Sequence, residues 1–186
     1  NLGLKLMLGV NQPKSTLLDY LGGREYVAFK IAKNIRKQAS DGKRIFNSLG
    51  LVPLSMVTSS KEKITFLQLD KIMVGKEGCF CPAQTVLEFF LNSIREHEDK
   101  IVLVDTNAGV EFLGRGLNKN LIDLVLVVVD PTWDSIELTV RMCRMSMELG
   151  YRKFYAILNK VQSLVMEDSL AFKLKEYGIK ILGSVR

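Results

Sequence analysis

Short apolar runs alternate along the chain with longer amphipathic segments. The runs cover residues 64–69, 101–104, 124–129, 154–158 and 179–182, and they are rich in valine, isoleucine and leucine. They lack strict alternation with polar residues, which is typical of strands covered on both faces, as in a parallel sheet. The pattern therefore predicts five mainly parallel strands.

The amphipathic segments between these runs have the spacing of helices. Three are well defined, at residues 82–98, 133–149 and 164–177, and two shorter ones are predicted at 16–21 and 26–39. The second and third carry apolar stripes, formed by Ile136, Val140, Cys143 and Met147 and by Leu170, Leu174 and Tyr177. Gly150 and Gly178 are placed to end these two helices. The alternation of strands and helices predicts one α/β domain over residues 1–186, doubly wound, with a mainly parallel sheet and helices on both faces.

Composition and charge narrow the class of protein. The net charge is +6, and residues 24–44 hold seven basic residues against two acidic ones. Such a cluster could meet nucleic acid, an anionic membrane or an acidic protein, but a solvated helix face is the preferred interpretation. No apolar run approaches the ~20 residues of a membrane helix. Cys79 and Cys81 are too close in sequence for an ordinary structural bridge, so no disulfide framework is expected and a cytoplasmic location is favoured.

Candidate functional residues follow the predicted strands, because ligands of doubly wound sheets bind at the carboxyl ends of the strands. Asp105 follows the run at 101–104 and is suited to hold Mg²⁺ through water. Gly109 would let the backbone approach a phosphate or move when one is lost. Many α/β proteins use such an aspartate only to begin a loop, so this pair alone is a weak signal.

Two dipeptides follow the next two predicted strands. Asn159 and Lys160 offer an amide that can pair with a purine edge and an aliphatic stem that can lie along the base. Asp130 and Pro131 are candidates for the same nucleotide site, although locally they are more typical of a turn before a helix that Thr132 or Asp134 would cap.

Two thiols precede a helix start in the segment that contains Cys79 and Cys81. The positive end of a helix favours thiolate, which binds soft metals such as Zn²⁺, Ni²⁺ or an iron–sulfur cluster. Two ligands do not complete a tetrahedral site, so ligand counting predicts a two-fold dimer with four thiolates. Cys143 is expected in the core and His97 in solvent. The alternative is an incidental pair of cysteines.

Together these segments resemble the accessory ATPases that insert nickel into carbon monoxide dehydrogenase, within the class of MinD and the nitrogenase iron protein. The similarity lies in residues 75–82 (GKEGCFCP), 105–116 (DTNAGVEFLGRG), 129–137 (VDPTWDSIE) and 158–161 (LNKV). It extends to residues 1–10 and 181–185 and is weakest over residues 15–63. It implies a P-loop NTPase-like fold and a homodimeric ATPase that uses ATP and Mg²⁺. It further implies Ni²⁺ or Zn²⁺ held by Cys79 and Cys81, and a metalloenzyme client such as carbon monoxide dehydrogenase.

The resemblance also assigns roles and shows departures. Asp105 would position Mg²⁺, Gly109 would sense the γ-phosphate, and Asn159 with Lys160 would hold adenine. The family's glycine-rich phosphate loop does not occur in these 186 residues, so we expect an N-terminally truncated piece that does not hydrolyse ATP by itself. Asn107 stands where the family often has a glutamate, which leaves an electrostatic role there in doubt.

Two other functions stay open at this level. One is an iron–sulfur reductase like the nitrogenase iron protein, with a [4Fe-4S] cluster at the dimer interface, although residues 105–116 lack the second cysteine of that family. The other is a partition or regulatory ATPase that uses the basic cluster, which would leave Cys79 and Cys81 unexplained. Binding to nucleic acid or to a membrane is not expected.

Overall fold

The structure is a computed structural model that describes residues 3–35, 58–61, 64–70, 81–94, 101–106, 109–114 and 118–186. The chain divides into two compact units, Asn1–Asp105 and Thr106–Arg186, which are described separately. The first contains α1 (Leu4–Met7), α2 (Leu17–Tyr20), α3 (Arg24–Ile35), β1 (Thr58–Lys61), β2 (Ile64–Leu67) and α4 (Cys81–Ile94). The second contains α5 (Glu111–Gly114), a 3₁₀ turn (Lys119–Leu121), β3 (Val125–Val129), α6 (Trp133–Glu148), β4 (Phe154–Leu158), α7 (Leu164–Glu176) and β5 (Lys180–Ser184).

A parallel three-stranded sheet in the order β3-β4-β5 forms the centre of the second unit. Helix α6 connects β3 to β4, and helix α7 connects β4 to β5. Parallel neighbours require such crossover connections, because the end of one strand and the start of the next lie at opposite edges of the sheet. The predicted α/β class, a parallel sheet flanked by helices and consistent with a P-loop NTPase-like fold, is confirmed.

The core of this unit lies between the sheet and its two helices. Alternate strand residues point into it, and both helices contribute apolar side chains; the buried members include Val127, Val129, Ala156, Leu158, Ile136, Cys143, Leu170 and Leu174. The predicted stripes were wrong at their ends, because Met147 is 60% exposed and Tyr177 is 51% exposed. Both residues lie at helix C-termini, where the chain turns away from the helix to enter the next strand. Thr139 and Ser146 are buried instead.

The predicted glycine stops of α6 and α7 are confirmed. Gly150 and Gly178 have φ values of 80° and 72°, in the left-handed region that favours glycine. The residue after each glycine donates its N–H back into the helix, from Tyr151 to the carbonyl of Ser146 at 2.9 Å and from Ile179 to Leu174 at 3.1 Å. This is the Schellman pattern, which satisfies carbonyls that the end of a helix leaves without partners.

A two-stranded antiparallel sheet in the first unit corrects one sequence prediction. Strand β2 covers most of the apolar run at 64–69, but it pairs with β1 in an antiparallel hairpin instead of joining the parallel sheet. Only residues 62 and 63 separate the two strands, and so short a connection permits antiparallel pairing alone. The run itself therefore predicted a strand correctly but not its partner.

Helices α2, α3 and α4 share a small core in the first unit. Leu17, Leu18 and Val27 are buried together with Ala83 and Val86. The hydroxyl of Thr16 caps α2 by accepting the N–H of Asp19 at 3.1 Å.

The basic cluster at 24–44 is only partly a solvated face. Arg24 donates to Asp70 at 2.6 Å, and these side chains are only 12% and 5% exposed. Lys30 and Lys33 lie over the rings of Tyr26 and Phe29. Residues 36–44 of the cluster fall outside the described residues.

The run at 101–104 forms no strand, contrary to the sequence prediction. Residues 101–106 have no regular secondary structure, and Ile101 and Leu103 are 92% and 84% exposed. A β-branched apolar run becomes a strand only where a neighbouring strand accepts its backbone hydrogen bonds. Among the described residues, no strand pairs with this run. No helix within the described ranges is long and apolar enough to cross a membrane.

Candidate functional site

Asp130, Asn159 and Lys160 meet at the carboxyl edge of the parallel sheet. The last residues of β3 and β4, Val129 and Leu158, are paired in register, so the residues that follow them are neighbours. The side-chain Nδ2 of Asn159 donates to Oδ1 of Asp130 at 2.9 Å, and Nζ of Lys160 lies 2.5 Å from Oδ2. The structure therefore brings together three of the four residues predicted for the nucleotide site, and Pro131 follows directly on Asp130.

The loop after β3 holds Asp130 by its backbone as well. The N–H of Asp130 donates to the hydroxyl oxygen of Ser135 at 3.0 Å, and the N–H of Thr132 donates to the carbonyl of Asp130 at 2.7 Å. Thr132 caps α6 by accepting the N–H of Ser135 at 3.2 Å, as the sequence predicted. Sequence reasoning missed Ser135, whose only signal is its position three residues after the cap.

The loop after β4 has an unusual backbone conformation. Lys160 has a φ of 56°, and among the described residues it is the only one besides glycines with a positive φ. A side chain in this left-handed region costs roughly 1–2 kcal/mol. The N–H of Asn159 donates to the carbonyl of Val129 at 2.9 Å, which continues the strand pairing up to the residue before this turn. Strained backbone beside a polar cluster is typical of functional sites.

The carboxylate of Asp130 stays ionised in this arrangement. The hydrogen bond from Lys160 is the largest cause that lowers the pKa of Asp130 below its usual 3.8, and the hydrogen bond from Asn159 acts in the same direction. Partial desolvation opposes them without reversing the direction. An amide such as Asn159 has two N–H donors and one carbonyl acceptor. Asp130 takes one donor, which leaves a donor and an acceptor for a ligand.

The two residues predicted for catalysis fall in different units. Asp105 is exposed at the end of the first unit, and its carboxylate oxygens suit Mg²⁺, which prefers oxygen ligands. Gly109 lies in the second unit with a φ of 110°, and a side chain there would meet no atom within 4 Å. The open space and the left-handed backbone fit a close approach by a ligand. Their catalytic roles stay predictions.

The structure describes only one of the two predicted metal ligands. Cys79 lies in residues 71–80, outside the described residues. Cys81 is the first residue of α4, as predicted for a thiol at a helix start, but it is disulfide-bonded. Sequence analysis predicted no disulfide framework, and the bond at Cys81 departs from that prediction, because the spacing of cysteines in the sequence does not fix their oxidation state. A sulfur in a disulfide is not a thiolate ligand, so metal binding would require its reduction.

The remaining cysteine is structural, as predicted. Cys143 is free and buried in the core, and desolvation raises the pKa of its thiol above 9.0. Within the described ranges no group of three or more histidine, cysteine or acidic side chains is arranged to hold a metal ion.

Comparison with known proteins gives a consistent family. The chain is 34% identical over 176 residues to the uncharacterized ATP-binding protein MJ0084 of Methanocaldococcus jannaschii, covering 90% of this chain and 68% of that protein. It is 34% identical over 122 residues to the uncharacterized ATP-binding protein MJ0823 of the same organism, covering 66% of this chain and 47% of the relative. It is 28% identical over 122 residues to the carbon monoxide dehydrogenase accessory protein CooC of Rhodospirillum rubrum, covering 66% of this chain and 45% of that protein.

No model of a protein family matches the chain. The match spans about two thirds of the first relative and about half of the other two. An identity of 34% over 90% of this chain and 68% of MJ0084 places the two proteins in one family. The chain belongs to the family of ATP-binding proteins that the Methanocaldococcus relative MJ0084 represents.

Proposed function

We propose that this chain forms the base-binding part of a CooC-type ATPase that assists the metal-cofactor maturation of a metalloenzyme. The observation that carries the proposal is the Asn159 amide, held by Asp130 at the carboxyl edge of two parallel strands. This edge is where doubly wound sheets bind nucleotides. ATP use is supported by the ATP-binding relatives, and the metal-related role by the similarity to CooC.

The residues around the amide suit a purine nucleotide. Asn159 offers the donor and acceptor pair that an adenine edge requires. The side chain of Lys160 is 67% exposed, so its aliphatic stem can lie along a base. Pro131 adds an apolar surface after β3. As the family resemblance implies, Asp105 would hold Mg²⁺ and Gly109 would respond to the γ-phosphate.

The metal in this proposal is cargo that Cys79 and Cys81 carry in their reduced form. Each chain supplies two thiolates, so a homodimer would supply the four that a tetrahedral Ni²⁺ or Zn²⁺ site requires. ATP binding would close the dimer around the metal, and hydrolysis would release the metal to a client such as carbon monoxide dehydrogenase. Because Cys81 is disulfide-bonded, metal loading would begin with reduction of that bond by an added dithiol, which supplies two electrons and is itself oxidised to a disulfide.

The nucleotide part is tested by equilibrium titration of the full-length protein with Mg-ATP. Replacing Asn159 with alanine is expected to weaken ATP binding by about tenfold, because a bidentate contact to a base contributes about 1–3 kcal/mol. Asn120→Ala is the matched control, since Asn120 is an exposed asparagine in the 3₁₀ turn. Equal affinities of the Asn159 variant and the wild type would refute the assignment of the base site.

The metal part is tested under anaerobic conditions with reduced protein. A colourless protein that binds Ni²⁺ or Zn²⁺ supports the metallochaperone. A brown species that gives an EPR signal on reduction would instead identify an iron–sulfur reductase and replace this part of the proposal.

A further inference from the structure

The orientation of the Asn159 amide is fixed by the chemistry of its partner. An ionised carboxylate can only accept hydrogen bonds, so the amide must turn its NH₂ group towards Asp130 and its carbonyl oxygen away from it. The observed contact is this one, from Nδ2 of Asn159 to Oδ1 of Asp130 at 2.9 Å. Asp130 thereby selects one of the two flipped states of the amide.

This selection matters because a freely flipping amide does not distinguish the common purines. Adenine presents an amino donor at position 6 beside a ring acceptor. Guanine and hypoxanthine present a 6-oxo acceptor beside an N–H at position 1, which is the inverted pattern. An asparagine can match either pattern by rotating its amide through 180°. A residue that prevents the rotation therefore contributes to the choice of base.

We propose that Asp130 is a positioning residue that gives the site its preference for adenine over 6-oxopurines by fixing the amide of Asn159. This inference rests on the proposed function, in which Asn159 contacts the base.

The surroundings of Asp130 favour a rigid carboxylate. Lys160 binds Oδ2, which leaves Oδ1 for Asn159, and the hydroxyl of Ser135 holds the backbone N–H of Asp130. The backbone N–H of Asn159 is fixed on Val129 at 2.9 Å. Both ends of the Asp130–Asn159 contact are therefore attached to paired strands, and the lowered pKa of Asp130 keeps the acceptor ionised at neutral pH.

Two substitutions at Asp130 distinguish a role in fixing the orientation of the Asn159 amide from a purely structural role. Asp130→Ala removes the acceptor and frees the amide. Asp130→Asn keeps the shape of the side chain. Because Lys160 can only donate hydrogen bonds, it would bind the carbonyl oxygen of the new amide, and the NH₂ group of that amide would face Asn159. Asn159 would then rotate and present the inverted pattern to the base. The first substitution should relax base selection, and the second should shift it towards 6-oxopurines.

The experiment measures the dissociation constants of ATP and of inosine triphosphate for the full-length protein, because hypoxanthine differs from adenine only at positions 6 and 1. Wild type is expected to prefer ATP by about tenfold or more. Asp130→Ala should reduce this ratio to near one, and Asp130→Asn should reduce it at least as far. Equal weakening of both nucleotides with an unchanged ratio would overturn the inference, since a purely structural residue would have that effect.

Two further variants complete the design. Lys160→Met removes the ion pair but leaves Asp130 to hold the amide, so most of the ATP preference should persist; its full loss would transfer the role to Lys160 and overturn the assignment. Asn159→Ala distinguishes the two proposals. If it abolishes the preference while the Asp130 variants do not, only this inference fails, and if it changes neither nucleotide, the proposed base site fails. Circular dichroism should show native helix content in every variant.

Discussion

Val129 and Leu158 are direct partners at the ends of adjacent parallel strands, and neither side chain is accessible to solvent. Their register places Asp130 beside Asn159, although 29 positions separate these residues in the sequence. A shift of one residue would move every side chain of a strand to the opposite face of the sheet. The buried pair thus fixes the packing of the core and also the positions of Asp130 and Asn159, which directly follow the two strands.

The stabilising contribution of Asp130 is expected to be constant from pH 8 to about pH 5 and to disappear at lower pH. The pKa of Asp130 is lowered from 3.8 in the folded state, so folding favours its ionised form. The contribution is present above the unfolded pKa and is lost as the pH falls through the lowered folded pKa. Urea unfolding of wild type and Asp130→Ala across this range measures it, as the difference in the free energy of unfolding. A difference that vanishes between pH 5 and 7 would contradict the assignment.

Gly178→Ala is expected to destabilise the second unit by roughly 1–2 kcal/mol, the cost of a side chain in the left-handed region. A Cβ at Gly178 would meet no atom within 4 Å, so the effect isolates the backbone conformation. Gly150→Ala should cost slightly more, because its Cβ would lie 3.1 Å from Nζ of Lys119, although that side chain can move.

Gly183→Ala is the control for both glycine substitutions, since its backbone has no positive φ and the space around it is open. It should change the free energy of unfolding by less than about 0.5 kcal/mol. Thermal or urea unfolding compares the three variants. A cost at Gly183 equal to that at Gly178 would show that the helix stop is not the cause.

Leu174→Ala is expected to destabilise the protein by roughly 2–5 kcal/mol, as large-to-small substitutions in a closed core do. Leu174 is fully buried between α7 and the sheet. Tyr177→Leu is the contrasting variant on the same predicted stripe, and it should cost less than about 0.5 kcal/mol because Tyr177 is 51% exposed. Denaturant unfolding of both variants would show whether the sequence stripe or the observed burial describes the core.

Metal binding by the reduced protein is expected to require Cys79 and Cys81 but not Cys143. One Ni²⁺ or Zn²⁺ should bind per two chains, by ligand counting. Cys79→Ala and Cys81→Ala should abolish binding, while Cys143→Ala should retain it because Cys143 is buried in the core. Metal analysis of anaerobically loaded protein, with and without prior reduction, provides the measurement. Tight binding of one metal by a monomer, or loss of binding in the Cys143 variant, would place the site elsewhere.

The strands β3, β4 and β5 and the helices α6 and α7 could be predicted from the sequence because their signals are local. Their apolar runs are long enough to identify strands, and Gly150 and Gly178 end helices through their own backbone freedom. The runs at 64–69 and 101–104 were both predicted to be strands of the parallel sheet, yet one entered an antiparallel hairpin and the other formed no strand. Strand pairing depends on a second segment, which the composition of the first does not reveal.

The sequence by itself determined the α/β class, the positions of the residues that follow β3 and β4, and the family resemblance that the relatives support in its ATP-binding part. It identified Asn159 as a residue able to bind a base, but treated Asp130 locally as part of a turn. Only the tertiary structure decided that Asp130 holds the amide of Asn159, because that contact arises from the register of two strands whose pairing is non-local. The chemistry of a single residue type can be predicted from the sequence, whereas the mutual orientation of two side chains is set by the folded structure.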